Sequence, residues 1–241
     1  MSTYVITQAR MTSTRLPGKI LKQIFGKPLL VLFLERLKRM KTIDGIIVAT
    51  TADQEDDVIV ETVSEFYPNM PVFRGDREDV LDRYYQCAKK FSVSTIVRIT
   101  SDCPLIDPHI SDLVVSKFLS SNCDYCSNNL PYRTYPHGLD TEVFSLKTLE
   151  KAWNNARTQF DREHVTPYIY HNPNLFELIS ITSSCDLSSN RWTVDYPEDF
   201  EFVKAIYEKL YQQKPEFDTN DILELIKNEP QLIKLNSNRK I

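Results

Sequence analysis

Short β-prone apolar runs alternate with amphipathic stretches through the first half of the chain, and this alternation restricts the fold more than any other feature. Runs such as Ile46-Ile47-Val48-Ala49-Thr50 are typical of strands buried in a parallel sheet. We predict strands at 4–8, 46–50, 72–74 and 95–100 and helices at 28–40, 53–66 and 80–91. This β-α-β-α-β-α-β order predicts an α/β fold, a doubly wound and mostly parallel sheet with helices on both faces.

Polar residues follow the ends of these predicted strands. In doubly wound sheets, ligands bind beyond the carboxyl ends of the strands. The residues expected at that edge are Arg10, Thr51, Arg74 and Asp102. We therefore expect a binding site at the edge where these four strands end.

The loop after the first strand is strongly basic. It carries Arg10, Arg15 and Lys19, together with the helix-incompatible Pro17 and Gly18. A guanidinium is a planar fork of donors and an ammonium is a compact point charge, and together they suit a polyphosphate. The chain has 5 Gly and no glycine-rich phosphate motif, so side chains and a few loop amides would hold the phosphates. The alternative is an ordinary solvated basic loop.

Two aspartates follow apolar stretches and precede helix-like segments. Asp102 lies in Ser101-Asp102-Cys103-Pro104, and Asp195 lies in Val194-Asp195-Tyr196-Pro197. Two carboxylates converging near phosphates would hold Mg²⁺, which prefers oxygen ligands and usually also binds substrate phosphates. The alternative is that each aspartate caps a helix. Spacing alone does not decide between the two roles, and capping is also expected of Asp76 or Asp79 before the helix at 80–91.

The second half of the chain is less regular. We predict a buried strand at 123–126, a strand at 176–181, and helices at 146–156, 161–170, 198–210 and 218–227, with the second of these interrupted by Pro167. The segments 132–142 and 162–168 are dense in polar groups. Arg133 suits a carboxylate or phosphate, and Tyr135, Asp140 and Glu142 suit hydroxyls, so these segments are candidates for substrate selection. The alternative is that they are ordinary surface loops.

Composition excludes several classes of protein. The chain has 241 residues, which fits one large domain, and its 41% hydrophobic content is enough for a core. The net charge of -4 argues against general nucleic-acid binding. Five cysteines without a secretory signal predict free thiols and a cytoplasmic location. No apolar run approaches the ~20 residues of a membrane span.

Several long motifs together resemble one family. They are QARMTSTRLPGK, GKPLL, IVATT, FRGDREDVLDRY, IVRITSDCPLIDP, RTYPHGLDTEVF, REHVTPYIY and RWTVDYPEDFEFV, which span Gln8 to Val203. With these motifs the chain resembles the spore-coat polysaccharide biosynthesis protein F family of cytidylyltransferases. That family belongs with the synthetases of CMP-KDO and CMP-sialic acid.

The resemblance implies a nucleotidyltransferase with a Rossmann-like sheet of the nucleotide-diphospho-sugar transferase type. Residues 1–125 would be the nucleotide-binding half, and 126–241 would be the acceptor-binding half with a smaller acceptor and dimerisation region. Such enzymes transfer CMP from CTP to a small anionic acceptor, release pyrophosphate, use Mg²⁺ and form homodimers. The acceptor would be a sugar acid of surface polysaccharide biosynthesis or a phosphorylated metabolite.

The resemblance also implies roles for individual residues. The catalytic set would be Arg10, Arg15, Lys19, Asp102 and Asp195, with Asp102 and Asp195 as the metal ligands. The nucleotide site would add Gln8, Ala9, Thr51, Arg74 and Ser101. The acceptor side would be lined by Arg133, Tyr135, His137, Asp140, Glu142, Arg162 and His164. Two positions depart from the family pattern: Thr12 stands where Gly is common, and His137 stands where Asp is common.

Two other functions are compatible with such a fold. A glycosyltransferase of similar fold often uses an Asp-x-Asp motif, and Asp124 and Asp195 lack that spacing. A non-catalytic nucleotide-binding protein would not need the full set of cations and aspartates. Pyrophosphate release separates both from a cytidylyltransferase.

Overall fold

A computed structural model describes residues 2–237. Its centre is a sheet of seven strands, which are β1 (Thr3–Gln8), β2 (Gly45–Thr51), β3 (Val72–Gly75), β4 (Thr95–Arg98), β5 (Tyr125–Ser127), β6 (Glu142–Ser145) and β7 (Leu178–Ser180). The strand order is β3-β2-β1-β4-β6-β5-β7. β6 runs antiparallel to both of its neighbours, and the other pairs are parallel. The predicted mostly parallel, doubly wound sheet is confirmed.

The helices are α1 (Leu29–Leu37), α2 (Asp57–Phe66), α3 (Val80–Lys90), α4 (Pro108–Leu119), α5 (Leu146–Asn155), α6 (Gln159–His164), α7 (Pro167–Tyr170), α8 (Pro197–Leu210) and α9 (Thr219–Asn228). Short 3₁₀ turns lie at Lys19–Leu21, Gln54–Asp56 and Pro230–Leu235. Asp79 accepts a hydrogen bond from the Asp82 amide and caps α3, and Asp218 caps α9. No helix in the described range is both long and apolar enough to cross a membrane.

Two hydrophobic layers cover the faces of the sheet, because successive strand residues point in opposite directions. Val5 packs with α1, α2 and α4 on one face, whereas its neighbour Ile6 packs with α3, α5 and α7 on the other. Val48 and Ile47 divide between the two layers in the same way. A third cluster joins α8 and α9 to the segment 16–32, with Trp192 almost fully buried within it.

The structure corrects several predicted elements. The prediction missed α4, which Asp107 caps, and it missed β6, which begins inside the polar segment 132–142. The helix predicted at 161–170 is two short helices separated by Val165, whose φ is 74°. The strand predicted at 123–126 begins only at Tyr125. The five cysteines are all free, as predicted, and only Cys185 is exposed.

Candidate active site

A cavity of about 310 Å³ lies at the carboxyl ends of β1 and β4. The loop after β1 and the residues just beyond β4 form much of its wall, and α3, α6 and the segment before α8 complete it. Nine of the predicted site residues line it: Gln8, Ala9, Arg10, Arg15, Lys19, Ser101, Asp102, His164 and Asp195. The strand-end rule therefore locates this cavity correctly.

Lys19 joins the two aspartates that the sequence singled out. Its Nζ lies 3.1 Å from Asp102 Oδ2 and 3.0 Å from Asp195 Oδ1, and it donates to the Val194 carbonyl oxygen at 2.7 Å. An ammonium has three N–H donors, so these three acceptors use all of them. Residues more than 170 positions apart in the chain thus share one charged centre, in which the Lys19 side chain is only 12% exposed.

Backbone contacts hold the two aspartate segments side by side. The Val194 amide donates to the Asp102 carbonyl oxygen at 2.8 Å, and the Thr193 hydroxyl donates to the same oxygen at 3.0 Å. Neither aspartate caps a helix, because Asp107 caps α4 and the Asp199 side chain accepts from the amides at the start of α8. The helix-capping alternative is therefore wrong for both Asp102 and Asp195.

A buried ion-pair network fixes the orientation of Asp195. Arg191 donates to Asp195 Oδ2 at 3.2 Å and to both oxygens of the fully buried Asp199, at 2.9 and 3.0 Å. The half-exposed Arg15 adds a contact of 2.9 Å to Asp195 Oδ1. Three cations thus contact Asp195, and this network keeps its carboxylate in place without a ligand.

The proximity of opposite charges also shifts the pKa values of this cluster. Burial on its own raises the pKa of Asp102, but the charge of Lys19 and the hydrogen bonds from Thr100 and Lys19 together outweigh it and lower that pKa to about 2. Burial on its own lowers the pKa of Lys19, but Asp102 and Asp195 outweigh it and raise that pKa above its usual value. Asp102 and Lys19 are therefore both charged at neutral pH.

The donor chemistry of this cluster fits Mg²⁺. Asp102 and Asp195 each present a carboxylate oxygen within 3.1 Å of one cationic atom. Between residues 2 and 237 there is no group of three or more His, Cys, Asp or Glu side chains that could hold a metal. Mg²⁺ is commonly bound by one or two carboxylates and takes its other ligands from water and substrate phosphates. A pair of aspartates beside a basic loop meets that requirement.

Two predicted nucleotide contacts lie outside the cavity lining. Thr51 is buried and donates its hydroxyl hydrogen to Asp56. Arg74 pairs with Asp57 and donates to the carbonyl oxygens of Thr51 and Asp53, at 2.9 and 2.7 Å. Both side chains tie β2 and β3 to the start of α2.

Most of the predicted acceptor residues also contact other parts of the protein. Arg133 pairs with Asp140, Arg162 pairs with Asp79, and Glu142 pairs with Arg98 and accepts from the Tyr125 and Thr166 hydroxyls. Tyr135 is buried, and the backbone of His137 bonds to Asn190 and Trp192. Among the residues predicted for the acceptor, only His164 lines the cavity.

The cavity also contains residues that sequence reasoning missed, notably Arg83 and Arg98. Arg83 follows Val80 by three positions and precedes Cys87 by four, and both of these are buried. Arg98 ends an otherwise apolar strand. An arginine on the buried face of a helix or at the end of a buried strand was the available signal.

Gly138 brings the loop 132–141 against the segment that carries Asp195. Its φ is 109°, and a Cβ atom there would lie 2.6 Å from the Thr193 nitrogen and 2.7 Å from the Trp192 carbonyl carbon. We expect Gly138→Ala to lower the free energy of unfolding by about 2–4 kcal/mol, since it adds both backbone strain and overlap. Urea unfolding measures this change.

Gly26→Ala is the matched control. Gly26 also has a positive φ, of 72°, but a Cβ atom there would meet nothing within 4 Å. Gly26→Ala is therefore expected to lower the free energy of unfolding only through backbone strain, by about 1–2 kcal/mol. Equal costs for the two substitutions would show that contact with Trp192 and Thr193 does not matter.

Comparisons with known proteins agree with this geometry. The cytidylyltransferase family model matches residues 4–239. The spore coat polysaccharide biosynthesis protein SpsF of Bacillus subtilis is 30% identical over 236 residues, which cover 93% of this chain and 94% of SpsF. The structure of a cytidylyltransferase from Leptospira borgpetersenii matches with a TM-score of 0.92 and 37% identity, and the match covers 100% of this chain and 99% of that chain.

A more distant structure shares the fold. It is CMP:2-keto-3-deoxy-manno-octonic acid synthetase complexed with CTP, with a TM-score of 0.68 and 16% identity over 87% of this chain and 99% of that one. At this identity the likeness concerns the fold alone. The family match covers residues 4–239, and SpsF and the Leptospira structure match over nearly the whole chain. These matches therefore include the residues that line the cavity. The chain therefore belongs to the cytidylyltransferase family and is a nucleotidyltransferase.

Proposed function

We propose that this enzyme transfers CMP from CTP to a hydroxyl of a small sugar acid and releases pyrophosphate. The observation that carries the proposal is the cluster of Lys19, Asp102 and Asp195 at one cavity wall, beside the basic loop that holds Arg10 and Arg15. This arrangement offers cations for a triphosphate and carboxylates for a phosphate-bound cation in one cavity. A role in surface polysaccharide biosynthesis is part of the proposal and is supported by the likeness to SpsF.

The reaction is an in-line displacement. The acceptor hydroxyl loses its proton to water as its oxygen attacks the α-phosphorus of CTP, and the bond between the α-phosphorus and the bridging oxygen breaks as pyrophosphate leaves. Catalysis of such transfers consists mostly of positioning and charge stabilisation. Arg15 and Lys19 would neutralise the leaving pyrophosphate, and Arg10 would hold the triphosphate from the opposite end of the loop.

Asp102 and Asp195 would hold Mg²⁺, which when bound neutralises phosphate charge and helps to orient the reacting groups. The protein holds both carboxylates close together through Lys19, and it fixes Asp195 through Arg191. These contacts preorganise the site before substrates arrive, so less reorganisation is needed during the reaction.

The acceptor proposal is supported by the hydrogen-bonding groups of the remaining cavity wall. Arg83, Arg98 and His164 line it together with Thr100, Ser101 and Glu163. Guanidinium N–H groups beside hydroxyl groups suit a molecule that combines a carboxylate with several hydroxyls. A phosphorylated metabolite presents similar chemistry and belongs in the same assay.

The test is a pyrophosphate-release assay with Mg²⁺ and each of the four nucleoside triphosphates. The acceptors are a panel of sugar acids, including N-acetylneuraminate and 3-deoxy-manno-octulosonate, and a panel of small phosphorylated metabolites. We expect release only with CTP and one sugar acid. Release with a phosphorylated metabolite instead would correct the acceptor class, and release with none of them would contradict the proposed reaction.

A further inference from the structure

Arg83 is a buried cation in the wall of the cavity. It lies on α3, its residue is 1% exposed, and its stem packs over Gly75 at the end of β3. Its Nε and NH1 atoms are buried and have no hydrogen-bond partner in the part of the chain that the structure describes. Buried donors without partners are rare in proteins because each costs free energy, so this one needs an explanation.

The charges around Arg83 do not supply a partner. Asp56 accepts from the Met11 amide at 2.7 Å and from the Thr51 hydroxyl, and one oxygen of Asp76 accepts from the Glu78 and Asp79 amides. Burial is the main cause that lowers the pKa of Arg83, and the positive charge of Arg10 lowers it further. Arg10 and Arg83 both line the cavity.

Arg98 makes a useful comparison, because it lines the same cavity. Glu142 pairs with Arg98 directly, so the charge of Arg98 is compensated within the protein. No such carboxylate pairs with Arg83 among the described residues. Arg98 keeps one buried nitrogen, Nε, without a hydrogen-bond partner, but of these two arginines only Arg83 lacks a paired carboxylate among the described residues.

We propose that Arg83 is a substrate-binding residue that, together with Arg10, holds an oxyanion of a substrate, either a phosphate or a carboxylate group. This inference rests on the proposed function and assigns a direct substrate contact to one arginine of the cavity wall. An oxyanion offers acceptors for the unpaired N–H groups and separates the two guanidinium charges. Arg83 lies on α3, which covers one face of the sheet. Ile20, next to Lys19, packs with α1 on the other face. The substrates would therefore be held by residues from both faces of the sheet.

The experiment compares wild type with Arg83→Met and Arg83→Lys, and uses Arg77→Met as the control. Arg77 is exposed, pairs with Asp53 and Glu55, and lies outside the cavity lining. Calorimetry gives the affinities for CTP with Mg²⁺, pyrophosphate, N-acetylneuraminate and 3-deoxy-manno-octulosonate. Thermal unfolding without ligands gives the stability of each variant.

We expect Arg83→Met to unfold at the same temperature as wild type or higher, because it removes an unpaired buried charge. We expect it to weaken binding of one class of probe by roughly 10- to 100-fold, the effect of a charge-assisted hydrogen bond. Weaker binding of CTP and pyrophosphate assigns the oxyanion to the triphosphate, and weaker binding of a sugar acid assigns it to the acceptor. Arg83→Lys should retain part of the affinity, and Arg77→Met all of it.

The contrary results are distinct. If wild type binds these probes and Arg83→Met binds them equally well, the inference about Arg83 is wrong. If Arg83→Met unfolds and the folded Arg83→Lys binds every probe as wild type does, Arg83 has a structural role only. If wild type binds neither CTP nor pyrophosphate, the proposed function itself fails.

Discussion

Asp102→Asn is expected to lower kcat for CMP transfer by roughly 100- to 1,000-fold while the protein remains folded. The substitution removes a negative charge but little volume, and the amide oxygen can still accept from Lys19, which lies 3.1 Å from Asp102 Oδ2. The lost charge is one of the two carboxylates that would hold Mg²⁺. The loss should therefore appear mainly in turnover rather than in folding.

The measurement is steady-state pyrophosphate release with the acceptor that the screen identifies, at saturating Mg²⁺. Asp186→Asn is the control, since Asp186 is exposed and bonds only locally to the Ser188 amide. Turnover of Asp102→Asn within about threefold of wild type would contradict the metal-binding role of Asp102.

The stability of Asp102→Asn should depend on pH in a defined direction. The folded-state pKa of Asp102 is about 2, below the ordinary value of 3.8. A carboxyl with a lowered pKa stabilises the folded state above its unfolded-state pKa and loses this contribution as pH falls through its folded-state pKa. Wild type should therefore be more stable than Asp102→Asn at neutral pH, and urea unfolding should show this difference shrink between pH 3.8 and about 2.

The sheet could be predicted from sequence because its signal is local. Neighbouring residues such as Val5 and Ile6 are both apolar because each faces a different helical layer, and a run of such pairs marks a strand buried on both sides. The strand β6 escaped prediction because Glu142 and Ser145 make its ends look like loop residues. In the fold, Arg98 of the neighbouring strand neutralises Glu142, which is a tertiary contact that sequence does not show.

The site was predictable where it depends on strand ends. Arg10 and Asp102 both follow strands that pair with each other, so the topology alone brings them to one edge. Asp195 reaches the same place through Arg191 and Asp199, whose ion pairs depend on the packing of α8. Nothing in the residue types at 191–199 distinguishes such a network from a surface helix cap.

The predicted acceptor residues illustrate why polar density alone is a weak signal. Arg133 and Asp140 are seven positions apart and satisfy each other, and Arg162 reaches the cap residue of α3. An arginine near a carboxylate is therefore often a structural pair, whereas Arg83 keeps unpaired donors at the cavity. Whether a charged residue has a partner can be read only from the three-dimensional contacts.

Lys19→Met is expected to lower transfer at least as severely, by roughly 100- to 1,000-fold, and to have a second effect on the nucleotide-free protein. In this structure the Lys19 ammonium uses all three donors on Asp102, Asp195 and the Val194 carbonyl oxygen. It must therefore give up at least one of these contacts to bind a phosphate. The ammonium also lies between the two carboxylates that would hold Mg²⁺.

Removal of this ammonium leaves Asp102 and Asp195 close together with less compensating charge, since Arg15 and Arg191 contact Asp195 but do not pair with Asp102. Without nucleotide, Lys19→Met should bind Mg²⁺ roughly tenfold more tightly than wild type, a change of about 1.4 kcal/mol. It should also unfold at a lower temperature in the absence of Mg²⁺, because two like charges then face each other. Added Mg²⁺ should restore part of this stability.

Calorimetric titration with Mg²⁺ and thermal unfolding with and without Mg²⁺ test these effects separately from turnover. Lys22→Met is the control, because Lys22 follows in the same segment but lies over the Phe200 ring at 4.8 Å and outside the cavity lining. Tighter Mg²⁺ binding together with lost turnover would mean that Lys19 competes with Mg²⁺ for the two aspartates until Lys19 moves to bind the nucleotide. Lost turnover with unchanged Mg²⁺ affinity would limit Lys19 to binding phosphate, and unchanged turnover would remove Lys19 from the active site.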